Sequence, residues 1–173
     1  MPMSVRYGVN DSDDISINTL YLSPRAIDCI SVSTDILWDG VEIEGKTDLV
    51  FNAMKIMAED IERIFYVKAR GSNRIPLCRL RSQCQPVPFH SLGDGVSRLF
   101  EIILSVVRLS GGICLIDEFE NGLHWSVQEK IWNVIFKTAQ TLNVQIFATT
   151  HSKDTVETFQ KVALQYERQK SGF

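Results

Sequence analysis

Three short stretches in the second half of the chain carry side chains suited to chemistry on phosphate groups. Residues 112–118 form an apolar run that ends in two adjacent carboxylates, Asp117 and Glu118. In phosphoryl transfer to water, one carboxylate can hold a hydrated Mg²⁺ while a second orients the attacking water. Residues 146–152 form another short run, in which His151 follows the apolar positions. The acid pair and the imidazole therefore predict a phosphate-handling site.

The third stretch, residues 91–98, is rich in serine and glycine and precedes a helical pattern. Backbone N–H groups around Gly93 and Gly95, together with the hydroxyl of Ser91, would stand at a helix N-terminus, where anions bind readily. The same residues also suit a plain turn into a helix, with Ser91 or Asp94 as the N-cap. Both interpretations stay open on the sequence alone.

The helix that follows this turn is predicted to be mostly buried. Its apolar residues, within 99–107, recur at the three- and four-residue spacing of one helix face. Its polar positions form a narrow stripe, which consists of Arg98, Glu101, Ser105 and Arg108. Arg98 would either reach a phosphate or face solvent. The glycine pair at 111–112 is expected to end the helix.

Strands and helices then alternate along the rest of the chain. Residues 113–116 and 144–148 are predicted as buried strands, and helical spacing marks 127–142, with Asn143 as the C-terminal cap, and 156–166. This alternation with short connections predicts an α/β fold with right-handed crossovers and a mostly parallel sheet flanked by helices. Ligands of such sheets bind at the carboxyl ends of the strands, where the acid pair and the histidine fall.

The first half of the chain has a different pattern. Residues 49–61 have the spacing of an amphipathic helix, and residues 64–67 and 75–80 are predicted to form a β-hairpin with its turn at 70–73. Residues 27–32 are predicted as a further short strand. We assign little structure to the first 25 residues, which include an acidic cluster.

The composition describes one domain with a substantial core. The chain has 173 residues, of which 45% are hydrophobic and 23% charged, and its net charge is -3. This balance gives no overall attraction to nucleic acid, so DNA would have to bind a local basic patch. The four cysteines include no CxxC pair, and no apolar run reaches the roughly 20 residues that span a bilayer. We expect a soluble, cytoplasmic protein with reduced thiols.

Taken together, the three stretches resemble the C-terminal half of an ABC-type ATPase domain, of the kind found in AAA or OLD-like ATPases and related to SMC-type ATPases. Residues 91–95 resemble the signature motif of that family, 113–118 its Walker B strand and 148–152 its histidine switch. The sequence of residues 117–124, Asp-Glu-Phe-Glu-Asn-Gly-Leu-His, is also similar to the sequence found at this place in that family.

This resemblance implies a division of the chain at residue 90. Residues 91–173 would be the C-terminal lobe of a P-loop NTPase-like fold with its signature, Walker B and histidine-switch motifs. Residues 1–90 would hold an arm, a helix and a β-hairpin, as the remnant of an upstream lobe.

The resemblance also implies ATP and Mg²⁺ as cofactors. Asp117 would hold Mg²⁺ through water, Glu118 would act as the catalytic base, and His151 would sense the γ-phosphate. The phosphate of an ATP bound to the opposite subunit would be contacted by Ser91, Gly93 and Gly95. ATP would then join a homodimer, or a dimer with a partner chain, as a switch in a DNA-linked or anti-phage process.

The P-loop of that family is where this sequence departs from the pattern. Residues 40–47, Gly-Val-Glu-Ile-Glu-Gly-Lys-Thr, match GxxxxGK[ST]. However, two carboxylates inside a phosphate cradle would repel the ligand, residues 41–44 alternate like an exposed strand, and no apolar strand precedes them. We expect the true P-loop to lie upstream of Met1, on a partner chain or nowhere.

Two other functions remain open. The chain could be a degenerate or partial ATPase that acts as a regulatory or protein-interaction module and cannot bind ATP alone. A metal-dependent nuclease is the third hypothesis, with a ligand set drawn from Asp117, Glu118, Glu120 and His151, although these carboxylates lie too close in sequence to frame two metals unaided.

Three smaller predictions concern surface and core residues. The basic residues of 68–81 suit a solvated hairpin edge more than a DNA-binding surface. His124 would be either a dimer contact or a helix-start residue, and His90 would be structural. Trp125 and Trp132 are expected in the core.

Overall fold

A parallel sheet and an antiparallel sheet, each of three strands, are joined by a central helix. The computed structural model describes residues 18–23, 33–68 and 74–171. Its strands are β1 (Thr19–Leu22), β2 (Ile61–Lys68), β3 (Arg74–Leu80), β4 (Val87–Pro88), β5 (Ile113–Ile116) and β6 (Gln145–Ala148). Its helices are α1 (Thr34–Ile43), α2 (Thr47–Met54), α3 (Asp94–Leu109), α4 (Trp125–Leu142) and α5 (Lys153–Ser171), with a short 3-10 helix at Phe89–Leu92.

The parallel sheet has the strand order β1-β5-β6, which confirms the predicted parallel α/β core. Strand β5 lies in the middle because both faces of its apolar run can be covered, and Cys114 and Ile116 are buried. The register aligns the last residues of the three strands, Leu22, Ile116 and Ala148. The segments that follow the strands therefore emerge side by side at one edge.

Helix α3 is the centre of the core and contacts α1, α2, α4, β1 and β5. Its predicted apolar face is fully buried. The predicted polar stripe is only partly exposed, since Ser105 is completely buried and Arg98 retains 7% exposure. Gly111, with a φ of 83°, follows the helix as expected.

The hairpin β2–β3 is confirmed, with β4 added as a third antiparallel strand. The turn at 70–73 lies outside the described residues, as do the strand predicted at 27–32 and the acidic cluster of the first 25 residues. The helix predicted over 49–61 ends at Met54, and Ile61 begins β2, so that prediction was too long.

The segment with the P-loop pattern, residues 40–47, folds as the end of α1, a turn and the start of α2. The exposed strand predicted at 41–44 is wrong, because Leu37, Trp38 and Val41 form a buried helical face. The side chain of Arg108 lies against Gly40, and a Cβ at this position would make that arginine shift. A phosphate loop needs a strand before it, and here a helix occupies that place.

Aromatic packing ties the first half of the chain to α3. The ring of Trp38 in α1 lies about 6 Å from those of Phe51, Tyr66 and Phe100, at 6.1, 6.0 and 5.9 Å between centroids. Strand β1 also pairs with β5. Contacts therefore cross residue 90, and the division of the chain there stays a prediction. Within the described residues, no helix is long and apolar enough to cross a membrane.

The tryptophans of α4 have different environments. Trp132 is buried, as predicted, and stacks on Phe119 with 3.8 Å between ring centroids. The prediction for Trp125 is wrong, because it begins the helix and is 67% exposed. The first turn of a helix lies at the periphery, where a large ring finds fewer neighbours.

Helix α4 ends at the predicted cap. Asn143 adopts the left-handed conformation, with φ 54° and ψ 45°, and Val144 donates a hydrogen bond back to the carbonyl of Ala139. This geometry turns the chain directly into β6.

We predict that Asn143→Val lowers the free energy of unfolding by about 1–2 kcal/mol, because a β-branched residue is strained in the left-handed region. Asn143→Gly should be neutral or slightly stabilising. Chemical denaturation measures both. Gln140→Val, at an exposed helical position one turn earlier, is the matched control and should change stability by only about 0.5 kcal/mol. Equal effects of the two valines would contradict the strain argument.

Candidate functional site

The carboxyl ends of β1, β5 and β6 form a rim where the acid pair and the histidine are placed. Asp117 follows β5 directly, and its backbone N–H donates to the carbonyl of Leu22 in β1 at 2.9 Å. Thr149 follows β6, and its N–H donates to the carbonyl of Ile116 at 2.9 Å. The ladder thus continues one residue beyond the strands, and it holds the segments after β5 and β6 together.

Thr149 fastens these two segments through its side chain and its backbone. Its hydroxyl donates to the carboxylate of Asp117 and accepts from the backbone N–H of Glu118 at 3.0 Å. Its carbonyl accepts from the N–H of Phe119 at 3.0 Å. Three consecutive residues after β5 are therefore positioned by one residue after β6.

Asp117 is held as a carboxylate. The hydrogen bond from the Thr149 hydroxyl is the main cause that lowers its pKa, and the hydroxyl of Tyr21, at 3.1 Å from Oδ2, lowers it further. The charge of His151 acts in the same direction, so that side chain lies within electrostatic reach. At neutral pH the rim thus presents an ionised carboxylate, whose oxygens can bind a metal ion.

Glu118 has a strained backbone and a free carboxylate. Its φ is 45°, in the left-handed region that non-glycine residues seldom occupy. Its half-buried side chain has no hydrogen bond or ion pair within the described parts of the chain. A strained residue fixed by its own backbone N–H, with an available carboxylate, suits a general base.

Glu120 connects the β5 loop to the histidine segment. Its Oε1 accepts a hydrogen bond from the backbone N–H of His151 at 2.8 Å. Burial alone would raise the pKa of Glu120, but the Thr150 hydroxyl, the backbone N–H groups and the charge of His151 favour the ionised form, so the pKa is lowered. The imidazole of His151 is exposed at the rim. Asp117, Glu118 and His151 are thus brought to one place, while their individual roles stay predictions.

The serine- and glycine-rich turn lies against the segment after Glu118. Gly95 faces the carbonyl of Gly122, and a Cβ there would come within 3.2 Å of that oxygen. Gly93 has a φ of 99° and precedes α3, which fits a tight entry into the helix. Ser91 donates through its hydroxyl to the carbonyl of Pro88 at 2.6 Å and does not cap α3. A phosphate-binding role for Ser91, Gly93 and Gly95 remains a prediction.

Arg98 does not face solvent, which was one of the two alternatives for it, while contact with a phosphate stays a prediction. It is buried, and its guanidinium donates to two backbone carbonyls at the rim, that of Ser23 at 2.9 Å and that of Asp117 at 3.0 Å. Glu101 lies 3.5 Å away on the next turn of α3. The planar guanidinium can reach both strand ends at once, so Arg98 anchors α3 beneath the rim.

His124 is the N-cap of α4, which favours the helix-start alternative. Its Nδ1 accepts from the N–H of Ser126 at 3.3 Å. The imidazole is exposed beside the exposed ring of Trp125, with 5.4 Å between centroids.

The hairpin supplies less free positive charge than its sequence indicates. Arg74 pairs with Asp39, with 2.7 Å between Nη1 and Oδ1, and lies 5.5 Å from the ring centre of Tyr66. Arg70 lies outside the described residues. The structure gives no support to a nucleic-acid surface that depends on Arg74.

Sequence reasoning missed three contributors to the rim. They are Tyr21 and Ser23 at the end of β1, and Thr149 within the histidine motif. The alternation of residues 19–22 was a weak strand signal. Nothing in the sequence shows which strand ends become neighbours, so the hydroxyl of Thr149 could not be assigned a partner. Among the described residues, no group of three or more His, Cys, Asp or Glu side chains could hold a metal ion.

Comparison with known proteins gives one family model and one relative that match part of this chain. Residues 80–156 match a family model described as "AAA domain, putative AbiEii toxin, Type IV TA system". An ATP/GTP phosphatase of Helicobacter pylori (strain ATCC 700392 / 26695) is 32% identical over 81 residues, which are 45% of this chain and 22% of that protein. The matched model runs from the end of β3 into α5 and includes the whole rim after β5 and β6.

These similarities and the α/β core with its three-stranded parallel sheet support a P-loop ATPase-like domain. The chain spans about a fifth of the length of the relative that it matches, 22%.

We predict that Arg98→Met lowers the free energy of unfolding by about 2–4 kcal/mol, because it leaves two backbone carbonyls without their donor. Arg98→Lys should recover only part of this loss, since an ammonium group lacks the planar fork. Arg108→Met, on the same helix at a side chain 42% exposed, is the control and should change stability by less than about 1 kcal/mol. Urea unfolding distinguishes these outcomes, and similar losses for both methionines would refute the anchoring role.

We predict that Thr149→Val raises the pKa of Asp117 more than Tyr21→Phe does, because the Thr149 hydroxyl is the larger cause of its lowering. Thr149→Ser keeps the hydroxyl and should keep the low pKa. A pKa lowered by folding adds stability above the unfolded pKa, and this stability is lost as the pH falls through the folded pKa. The acid dependence of stability should therefore weaken in Thr149→Val. Carboxyl-carbon NMR against pH measures the pKa, and an unchanged titration in Thr149→Val would exclude the proposed cause.

Proposed function

We propose that this chain forms the C-terminal lobe of an ABC-type ATPase domain related to OLD-like and SMC-type ATPases, and that its rim hydrolyses ATP once a P-loop is supplied. The convergence of the acid pair and the histidine segment through Thr149 is the observation that carries this proposal. In this function Asp117 holds the metal through water, Glu118 is the general base and His151 is the sensor of the γ-phosphate.

The residues present fit Mg²⁺ in a nucleotide site. Mg²⁺ prefers oxygen ligands and keeps several waters, so that one or two carboxylates suffice beside the phosphates. The ionised Asp117, oriented by Thr149 and Tyr21, provides such an oxygen. Bound Mg²⁺ would supply charge neutralisation at the phosphates. Asp117 would bind and orient one of its waters, and Glu118 would accept the proton of the attacking water.

The charged side chains that the described residues present at the rim are mostly acidic. Three carboxylates, Asp117, Glu118 and Glu120, stand at or near the rim with one histidine. Lys46, the lysine of the P-loop pattern, instead pairs with Glu44 at 2.8 Å. Binding of a triphosphate therefore calls for cations from a P-loop on further sequence or on a partner chain.

A nucleotide-dependent dimer is the finer part of the proposal. The turn with Ser91, Gly93 and Gly95 would close on the phosphate of an ATP bound to the opposite subunit. Its contact with Gly122 would connect that closure to the segment after Glu118. DNA is a candidate partner, and a DNA-linked or anti-phage process is the setting that the family resemblance favours.

The second candidate function is a regulatory or protein-interaction module that cannot bind ATP alone. It is favoured by one observation. Residues 40–47, which match the P-loop pattern in sequence, fold as the end of α1, a turn and the start of α2. Titration of the isolated chain with Mg-ATP addresses it directly, because micromolar affinity without a partner would exclude this alternative.

Catalysis is tested in a chimera. The matched 81-residue segment of the H. pylori ATP/GTP phosphatase is replaced by the corresponding segment of this chain. We expect hydrolysis of ATP, measured as phosphate release, and a loss of about 10²–10⁴-fold in kcat for Glu118→Gln with ATP binding retained, since removal of a general base affects the chemical step.

Glu129→Gln is the matched control, because Glu129 is also a glutamate but lies on α4, where it pairs with Lys161. It should leave kcat within about twofold, as for a surface ion pair. If the chimera hydrolyses ATP equally well with and without Glu118→Gln, Glu118 is not the base. A folded chimera that binds no nucleotide would contradict the ATPase proposal itself.

A further inference from the structure

The antiparallel sheet of β2, β3 and β4 has one face on the core and one face that points away from it. Successive residues of a strand point to opposite faces. Ile64, Cys78 and Val87 pack in or against the hydrophobic core. The ring of Trp38 in α1 lies against Tyr66 on this same side. The residues between them form what we call the outer face, which consists of Arg63, Phe65, Val67, Leu77, Arg79 and Pro88.

The outer face is apolar at its centre and is not buried by any described element. Phe65 and Leu77 lie directly opposite each other and, like Val67, are only half-buried. Ile75, which pairs with Val67, is 41% exposed on the same side. On the core side, by contrast, Ile64 is 2% exposed. Apolar side chains on an uncovered sheet face are stabilised by contact with another apolar surface.

Two arginines stand opposite each other at one end of the outer face. Arg63 of β2 pairs in register with Arg79 of β3, and both are exposed. Like charges directly opposite in an antiparallel pair destabilise a sheet. Neither arginine has a hydrogen bond or an ion pair with a described residue, and the carboxylate of Asp60 beside the end of β3 accepts from Ser82 instead. Proteins keep such a locally unfavourable arrangement where it serves a function.

The charge along this part of the chain is also one-sided. No aspartate or glutamate occurs between Glu62 and Asp94. Arg81, which is exposed just beyond β3, adds positive charge at the end where the arginine pair lies. Glu62 is exposed at the irregularity of the ladder and forms no ion pair with a described residue. A partner that balances this charge carries carboxylates or phosphates.

The apolar centre of the outer face decides between these two kinds of partner. Nucleic acid is held by many phosphate contacts and by aromatic rings on which its bases stack. Phe65 alone is aromatic among the described residues of this face, and Val67 and Leu77 are aliphatic. Aliphatic side chains are covered best by the aliphatic side chains of another protein. The occupant favoured by this surface is therefore an amphipathic protein segment with acidic residues.

We propose that the outer face docks an acidic amphipathic helix of a partner protein. Its apolar stripe would cover Phe65, Val67 and Leu77, and its carboxylates would pair with Arg63 and Arg79. This docking does not rest on the proposed ATPase function.

The docked helix would also touch the strand that enters the glycine-rich turn. Pro88 of β4 lies opposite Leu77 on the outer face, and its carbonyl accepts from the hydroxyl of Ser91 at 2.6 Å. The partner would thus contact the chain three residues before that serine.

The test uses the full chain and a fluorescent helical peptide, in which leucines follow the i, i+3, i+4, i+7 spacing and glutamates flank them. A second peptide carries lysine in place of every glutamate. We expect saturable binding of the glutamate peptide and at least about tenfold weaker binding of the lysine peptide, because the arginine pair repels it. Fluorescence anisotropy without nucleotide measures both affinities.

Arg79→Glu separates binding from folding. It should weaken binding of the glutamate peptide at least about tenfold and strengthen binding of the lysine peptide. It should also raise the midpoint of thermal unfolding, because an opposite-charge pair replaces a like-charge pair. Lys130→Glu makes the same change in net charge at an exposed position of α4, which packs against α3 and α5, and should leave both affinities unchanged.

Leu77→Gln tests the apolar part of the face and should weaken binding of the glutamate peptide about five- to tenfold. Leu164→Gln is its control, because Leu164 is 45% exposed on α5. Circular dichroism establishes that the variants remain folded. Failure of the wild-type chain to bind the glutamate peptide would overturn the proposal. Equal effects of the two glutamate variants, or of the two glutamine variants, would overturn it as well.

Three other occupants of the outer face have their own signatures, and each would replace the proposed partner. Binding of a labelled DNA oligonucleotide that Arg79→Glu abolishes, without binding of the glutamate peptide, would assign the face to nucleic acid. A dimer in sedimentation that Arg79→Glu abolishes would assign it to a second copy of this chain. Peptide binding that tightens at least about tenfold when Asp11, Asp13 and Asp14 are all changed to asparagine would assign it to the chain's own acidic cluster.

Discussion

The hydroxyl of Thr149 is the contact on which the rim depends. It donates to the Asp117 carboxylate and accepts from the N–H of Glu118, so a single oxygen orients two neighbouring acidic residues in different ways. Asp117 is fixed through its side chain, while Glu118 is fixed through its backbone N–H and has no side-chain partner among the described residues. In the proposed function, this difference would let two adjacent acidic residues serve as a metal ligand and as a base. It requires the parallel register of β5 and β6, because only that register aligns Thr149 with the residue after Ile116.

Helix α3 connects this rim to the glycine-rich turn. At one end, Gly95 lies against Gly122 in the segment after Glu118, and one turn further along Arg98 holds the carbonyls of Ser23 and Asp117. Most of the remaining residues of the helix are buried, although Arg108 is exposed. A close-packed helix of this kind moves as a body if it moves at all. A displacement of the turn along α3 would therefore shift Arg98 together with its hydrogen bonds to Ser23 and Asp117.

The sequence allowed the second half of the fold to be predicted, because there each element has a strong period and short connections leave few topologies. The acid pair and the histidine fell at strand ends for the same reason. The first half was harder. Gly40 and Lys46 reproduced the spacing of a phosphate loop, although Gly40 lies in α1 against the side chain of Arg108 and Lys46 pairs with Glu44. The spacing of residue types in a sequence motif does not show whether a helix, a strand or a loop carries those residues. Arg98 was placed on the polar side of α3, and only the position of β1 reveals that this side faces buried carbonyls.

The distribution of charge among the described rim residues bears on how a triphosphate could bind there. Carboxylates with lowered pKa values remain ionised when a triphosphate approaches, so they repel it unless a cation lies between them. In the proposed function Mg²⁺ would mediate the contact with Asp117, and further cations would have to balance the remaining charge of the phosphates.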